Sequence, residues 1–247
     1  SEPMNLGDIN TESSENSPFL ASDGVTLYFA TDGRPGYGQS DIFMTRRLDD
    51  TWKRWTEPEN LGPDINSPKR DAYFTIPASG EYAYLVSDEN SYGQADIFRV
   101  KLPDIIKPRP VVLIYGKVLN SENNKPLEAH ITYRDLETDR EMGIARSDPK
   151  TGEYKIILPA GIRYSFYARK KDIITVSENI DVSKVKKYKE IQRDLFLTPI
   201  KVGSIVVLNN LWFKTGKDEI NRLSFPELGR LIELLEKNPS MKIEIRG

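Results

Sequence analysis

Over most of this chain, apolar and polar residues alternate in short runs bounded by Gly, Pro, Asn and Asp. Leu27-Tyr28-Phe29-Ala30, Ala129-His130-Ile131-Thr132-Tyr133, Tyr154-Lys155-Ile156-Ile157-Leu158 and Arg163-Tyr164-Ser165-Phe166-Tyr167-Ala168-Arg169 are examples. Period-2 patterning with turn residues at both ends predicts β-strands. One segment departs from it. Leu228, Leu231, Ile232 and Leu235 fall at i, i+3, i+4 and i+7, a single helical stripe, and Asn238-Pro239 stops it. Ser224-Phe225-Pro226-Glu227 predicts the helix start, with serine as N-cap, proline in the first turn and glutamate at the capping-box position. On either side, Ser204–Phe213 has the β-branched and aromatic content of a buried strand, and Met241–Arg246 alternates apolar with charged. Residues 204–247 therefore predict a right-handed βαβ unit.

The first hundred residues repeat themselves. Pro3-Met4-Asn5-Leu6-Gly7 returns as Pro58-Glu59-Asn60-Leu61-Gly62, and Tyr37-Gly38-Gln39-Ser40-Asp41-Ile42-Phe43 returns as Tyr92-Gly93-Gln94-Ala95-Asp96-Ile97-Phe98, both at an offset of 55. Ile9-Asn10 matches Ile65-Asn66, and the Ser22–Tyr28 stretch matches Ala78–Tyr84, at 56, with Pro63 as the inserted residue. Each unit predicts a short strand, a tight turn, an aromatic strand, a glycine-rich turn and a strand opening with Asp-Ile-Phe. Several short strands per unit of this size suggest β-propeller blades.

Lys107-Pro108-Arg109-Pro110 is a stiff, polar break. Beyond it, strand patterns separated by Asn123-Asn124-Lys125-Pro126 and Asp148-Pro149-Lys150-Thr151-Gly152 predict a β-sandwich. The expected organisation is a two-blade propeller fragment over 1–106, a sandwich over 107–199 and an α/β segment over 200–247.

Composition narrows the chemistry. With 35 Lys and Arg against 37 Asp and Glu, the net charge is −2, so no global field recruits nucleic acid or an anionic membrane. The absence of cysteine removes disulfides, thiolate metal sites and cysteine nucleophiles. No apolar run approaches the roughly 20 residues of a spanning helix. Two blades are too few to close a ring, so the rest of it is expected upstream of Ser1 or from another chain, and both ends read as internal to a longer protein.

Three resemblances organise these segments. The repeats resemble the WD40-like propeller repeat of the PD40 type found in TolB-like propellers. The middle segment is similar to the carboxypeptidase regulatory-like (transthyretin-like) sandwich, a scaffold without chemistry of its own. Leu208-Asn209-Asn210-Leu211-Trp212-Phe213, Ile220, the helix opening at Ser224, and Asn238-Pro239 followed by Ile243-Glu244-Ile245-Arg246-Gly247 resemble the start of the OmpA-like peptidoglycan-binding domain. In that family a His-Thr-Asp triplet and a later arginine grip diaminopimelate, and the resemblance puts both after Gly247. It implies that Phe213, Lys214, Thr215 and Gly216, in the loop after the first strand, form the part of the peptidoglycan site present here. The domain order looks like periplasmic OmpA-family proteins of the Bacteroidetes, including a wall-linked component of the type IX secretion system. It implies a scaffold of the periplasm and outer membrane, with peptidoglycan as one partner and envelope or secretion proteins, held by the propeller, as others.

Other candidates have plainer readings. Asp41 and Asp96 could be metal ligands or acids, but calcium needs several converging oxygens, and an Asp after a turn ordinarily caps backbone amides. Trp52, Trp55 and Tyr37 could form a ligand platform or pack between blades. His130, the only histidine, alternates with apolar neighbours and is expected on the polar face of its strand. Lys184, Lys186, Lys187, Lys189 and Arg193 could hold a polyanion or solvate a strand edge. No nucleophile elbow or paired-carboxylate pattern appears, so no catalytic residue, cofactor or metal is assigned. The alternative is a surface adhesin or a carbohydrate- or protein-binding module on the same β scaffolds.

Overall fold

The computed structural model describes residues 2–170, 173–174, 176–205 and 207–245. The protein is mainly β and multidomain, with strands in four sheets and one α-helix among the described residues. It divides into two compact units. The first comprises Ser1–Val112, Ile157–Ala160 and Val185–Lys189, and the second Leu113–Ile156, Gly161–Lys184 and Glu190–Gly247.

In the first unit the sequence repeat becomes a structural one. Strands β1 (Glu15–Leu20), β2 (Thr26–Thr31), β3 (Asp41–Arg46) and β4 (Glu59–Asn60) form an antiparallel sheet in that order, and β5 (Asp71–Thr75), β6 (Tyr82–Ser87) and β7 (Asp96–Lys101) form a second. The equivalence extends past the residues that match in sequence. The β1–β2 register slips between Asn16 and Phe19, and the β5–β6 register slips between Ala72 and Thr75, 56 residues later. Ser17 (φ 52°) and Tyr73 (φ 54°) sit left-handed at the two slips. A bulge that adds one residue to one strand needs such a kink.

A matching brace precedes each first strand. Glu15 Oε1 accepts from Thr11 N (3.1 Å) and Oγ1 (2.6 Å), and Asp71 Oδ2 accepts from Ser67 N (2.6 Å) and Oγ (2.8 Å). Between the sheets, Tyr28, Ile42, Met44, Leu61, Ile65, Phe74, Ala83 and Leu85 share a core, with the Tyr28 and Phe74 rings 5.1 Å apart. The Tyr28 hydroxyl donates to Ile106 O (2.6 Å), and burial pushes its pKa up, so the phenol stays a donor. On the other face of β2, Leu27 and Phe29 meet Ile9 and Phe43, with Leu6 and Trp55 beside them. Where the two repeats join, Gln39 N bonds Lys69 O (3.0 Å), and a Cβ on Gly38 would lie 2.3 Å from the Lys69 and Ser67 carbonyls. Only glycine permits that approach.

Two more sheets fall mainly in the second unit. Strands β8 (Val111–Asn120), β9 (His130–Asp135), β10 (Glu141–Arg146), β11 (Glu153–Pro159), β12 (Arg163–Arg169), β13 (Ile173–Ile174), β14 (Val176–Asp181), β15 (Lys189–Gln192) and β16 (Leu195–Pro199) follow in sequence. The start of β8, the end of β11 and Lys189 of β15 belong to the first unit. One sheet has the order β10-β9-β12-β14, and the other β11-β8-β16-β13 with β15 also on β8. β16 runs parallel to β8. Ile131, Tyr164, Phe166, Ile114, Val118, Leu195 and Leu197 are buried, and β14 approaches β16 from the other sheet. That is a sandwich arrangement.

The Asp148–Gly152 turn forms as its sequence predicts. Asp148 Oδ1 accepts from Lys150 N and Thr151 N, both at 2.8 Å, and these bonds hold its carboxyl below the usual carboxylate range, Thr151 first. A carboxyl depressed by folding contributes stability that is present above its unfolded pKa and lost as pH falls through the folded one. Asp148→Ala is therefore expected to lower the urea midpoint at neutral pH and to leave it unchanged in strong acid. An equal loss at both pH values would contradict this.

The C-terminal segment departs from its pattern. Helix α1 (Phe225–Lys237) forms, but the described residues of 204–213 and 241–245 are not strands, and no βαβ unit is made. Val206, Arg246 and Gly247, also read as strand residues or their end, lie outside the described residues. A strand needs a ladder partner, and this segment is instead tied by its side chains to other parts of the unit. Asn209 Nδ2 bonds Ser177 O (2.8 Å), Asn210 bonds the Ser177 hydroxyl, and Ser204 Oγ bonds Pro199 O (2.8 Å). The expected serine cap is also replaced. Ser224 Oγ accepts from Trp212 N (2.7 Å) and donates to Trp212 O (3.2 Å), so Asn221 caps a 3-10 turn ahead of α1, accepting from Leu223 N (3.0 Å). Glu227 pairs with Arg230 instead of closing a capping box.

Candidate functional site

Phe213, Lys214, Thr215 and Gly216 lie together in one exposed turn. Phe213 bridges Ile220, Lys214 N donates to Glu219 O (2.8 Å), and Gly216 takes the left-handed conformation (φ 69°) that reverses the chain. The Lys214 ammonium pairs with the Glu219 carboxylate. The turn thus offers an exposed aromatic ring and two small polar positions, with its cation already neutralised.

The aspartates of the repeats are turn braces. Asp41 is buried and accepts from Tyr37 N (2.5 Å), Gly38 N (3.0 Å) and Asn60 Nδ2 (2.8 Å), and Asp96 accepts from Tyr92 N (2.7 Å). With those oxygens committed to amides, they do not converge on a cation, and among the described residues no group of three or more His, Cys, Asp or Glu could hold one. Trp52 and Trp55 come together (5.9 Å, tilted), with Arg47 over the Trp52 ring at 4.5 Å, while Tyr37 stands apart in the braced turn. His130 is exposed beside Arg146, with Ala129 and Ile131 buried on either side, as the alternation predicts. Lys184, Lys186, Lys187, Lys189 and Arg193 are each exposed, and Lys189 opens β15.

A cleft in the second unit escaped the sequence. It has a volume of about 720 Å³ and is lined by Thr132, Arg134, Tyr167, Arg169, Arg222 and Phe225 among others, from the β9–β12 face and the start of α1. Arg230 stacks over the Tyr167 ring (3.5 Å) and pairs with Glu227, Arg169 pairs with Glu233 (3.6 Å), and Arg134 pairs with Asp139 (3.1 Å) and Glu141 (3.6 Å). Arg222 has no ion pair among the described residues. The lining comes from three separate stretches of the chain, around Thr132, Tyr167 and Arg222, with no shared motif, so no local signal announces it.

No family model matches the chain, and no curated protein does. Three solved structures show a low similarity to it. The 3-chlorocatechol 1,2-dioxygenase of Rhodococcus opacus 1CP is 9% identical over 38% of this chain and 61% of its own (TM-score 0.29). A putative carbohydrate-binding protein of Bacteroides uniformis ATCC 8492 is 16% identical over 40% and 49% (TM-score 0.26). The pilus 2b backbone protein of group B streptococcus is 10% identical over 76% and 83% (TM-score 0.31). The chain spans less than two thirds of the first two.

Proposed function

We propose that the chain belongs to a non-catalytic scaffold of the bacterial envelope, in the periplasm and associated with the outer membrane and cell wall. Its repeat sheets are two blades of a partial propeller that docks envelope or secretion-system proteins. The sandwich is a spacer, and residues 200–247 begin an OmpA-like domain through which the full-length protein holds peptidoglycan. The observation that carries this reading is the duplicated sheet, whose bulge, brace and core positions recur at an offset of 55–56 residues. Such stacked units serve as rigid platforms. Supporting it, β7 and β6 expose Tyr84, Ile97 and Arg99, and aromatic residues and arginine are enriched where proteins meet.

Peptidoglycan binding is assigned mainly to residues after Gly247, with Phe213, Thr215 and Gly216 contributing an edge of the site and Lys214 held back by Glu219. Purified sacculi should retain a protein extended through the His-Thr-Asp triplet and the later arginine, and should retain residues 1–247 little or not at all. Strong retention of 1–247 alone would overturn this placement.

The adhesin or binding-module reading has one observation in its favour, the arginine-lined cleft with Phe225 at its rim. In the same experiment it predicts retention on external glycans or host protein and none on sacculi by either protein.

A further inference from the structure

The two repeats differ along one strand edge. In the first sheet, the outer edge of β3 is closed by the segment that opens the second repeat. Asn60 and Glu59 pair with Phe43 and Met44, Leu61 N donates to Ile42 O (3.1 Å), and Asn66 clasps the Ile42 main chain from both sides (Ile42 N to Oδ1 2.8 Å, Nδ2 to Ile42 O 3.0 Å). Leu61 and Ile65 enter the core, and Asn60 reaches Asp41. In the second sheet β7 stands where β3 stands. Among the described residues nothing bonds its outer edge, and Ile97 is 78% exposed where its counterpart Ile42 is 0%.

The chain also carries a second copy of the closing segment, Pro3–Asn10. It already has the required shape. Asn5 Oδ1 accepts from Gly7 N (2.8 Å) and Asn10 Nδ2 (3.1 Å), as Asn60 Oδ1 accepts from Gly62 N (2.9 Å) and Asn66 Nδ2 (2.9 Å). Gly7 (φ 75°) and Gly62 (φ 82°) make the same left-handed turn. Leu6 and Ile9 rest on the Leu27 face of the first sheet, just as Leu61 and Ile65 rest against the second. Asn5 and Asn10 are exposed, and no edge of the β3 type lies beside them among the described residues.

One chain therefore holds both halves of an interface whose closed form it displays between its own repeats. We propose that this protein associates head to tail, Pro3–Asn10 of one copy adding as a strand to the open edge of β7 in the next. Asn10 clasps the Ile97 main chain and Asn5 reaches Asp96, and the added strand covers the exposed Ile97. Strand addition of this kind draws affinity from main-chain hydrogen bonds and specificity from the side-chain positions. Because the two surfaces differ, the contact is heterologous and extends to a ring or a filament. It goes beyond the wall-anchoring reading and does not depend on it, since it uses only the repeat sheets.

Sedimentation velocity of residues 1–247 across a concentration series should show reversible association. Asn10→Ala, at an exposed position that leaves the fold alone, should weaken it by about tenfold or more. Ile97→Lys, also exposed, should do the same from the acceptor side. The decisive arm mixes the two variants. Asn10→Ala keeps a good acceptor and Ile97→Lys a good donor, so the mixture should form a one-to-one dimer and stop there. A peptide of sequence Pro58–Ser67, added in excess, should dissociate the wild-type assembly. A protein monomeric throughout and indifferent to the peptide would overturn the proposal, and so would association that Asn10→Ala leaves unchanged.

Discussion

Replacing Phe74 by alanine should destabilise the first unit by about 3–5 kcal/mol, the range for emptying a buried aromatic site. Phe74 is 1% exposed and lies in the core that joins the two repeat sheets, its ring against Tyr28. The loss should be near the top of the range, because collapse around the cavity would have to move Tyr28. That ring is tethered by its hydroxyl to Ile106 O and has little freedom to follow. Tyr73→Ala, one residue away but exposed, is the control and should change stability by no more than about 0.5 kcal/mol. Urea unfolding of the three proteins measures both. Equal effects at positions 73 and 74 would mean that the sheets do not bury the shared core described above.

The second large effect concerns two aspartates that the sequence presents as equivalents. Asp41→Ala removes an acceptor serving three donors in a buried turn, Tyr37 N, Gly38 N and Asn60 Nδ2, and should cost about 2–5 kcal/mol. Asp96→Ala removes the acceptor for Tyr92 N in a turn that water reaches, and should cost less than about 1 kcal/mol. The difference arises because β4 covers one site and no described strand covers the other. Adding the Pro58–Ser67 peptide should raise the cost of Asp96→Ala toward that of Asp41→Ala, a shift readable in the same unfolding curves. If the two substitutions cost the same without peptide, the repeats are not asymmetric in the way the structure indicates.

Much of the architecture is legible in the residues. The offset of 55–56, the aromatic strands, the Asp-Ile-Phe openings and the alternating strands of the second unit all sit in local sequence, where period and turn chemistry are strong. The bulges are not. Ser17 and Tyr73 adopt a left-handed backbone without the Gly or Asn that would advertise it, because the surrounding ladder imposes the conformation. Residues 204–213 fail in the opposite direction. Their β-branched content satisfies strand propensity, yet propensity describes a fit to neighbours, and the asparagines and Ser224 tie this segment to other parts of the unit. Of the candidate site residues, Phe213, Lys214, Thr215 and Gly216 are consecutive in the sequence and lie in one turn. The pairing of Lys214 with Glu219 was hidden because a turn's cross-bonds depend on its exact reversal. The cleft was hidden because its two walls come from distant segments.

The braces ahead of β1 and β5 each close within their own repeat, Thr11 to Glu15 and Ser67 to Asp71, whereas the outer edge of β3 is closed by Asn60, Leu61 and Asn66 from the repeat that follows. Modules that brace their own entry and hand on one closing segment can be duplicated or deleted as whole cassettes at the genetic level, provided each copy keeps the segment that closes the one before it. Platform length is then an evolvable dimension, set by copy number and largely decoupled from the sequence of any single module.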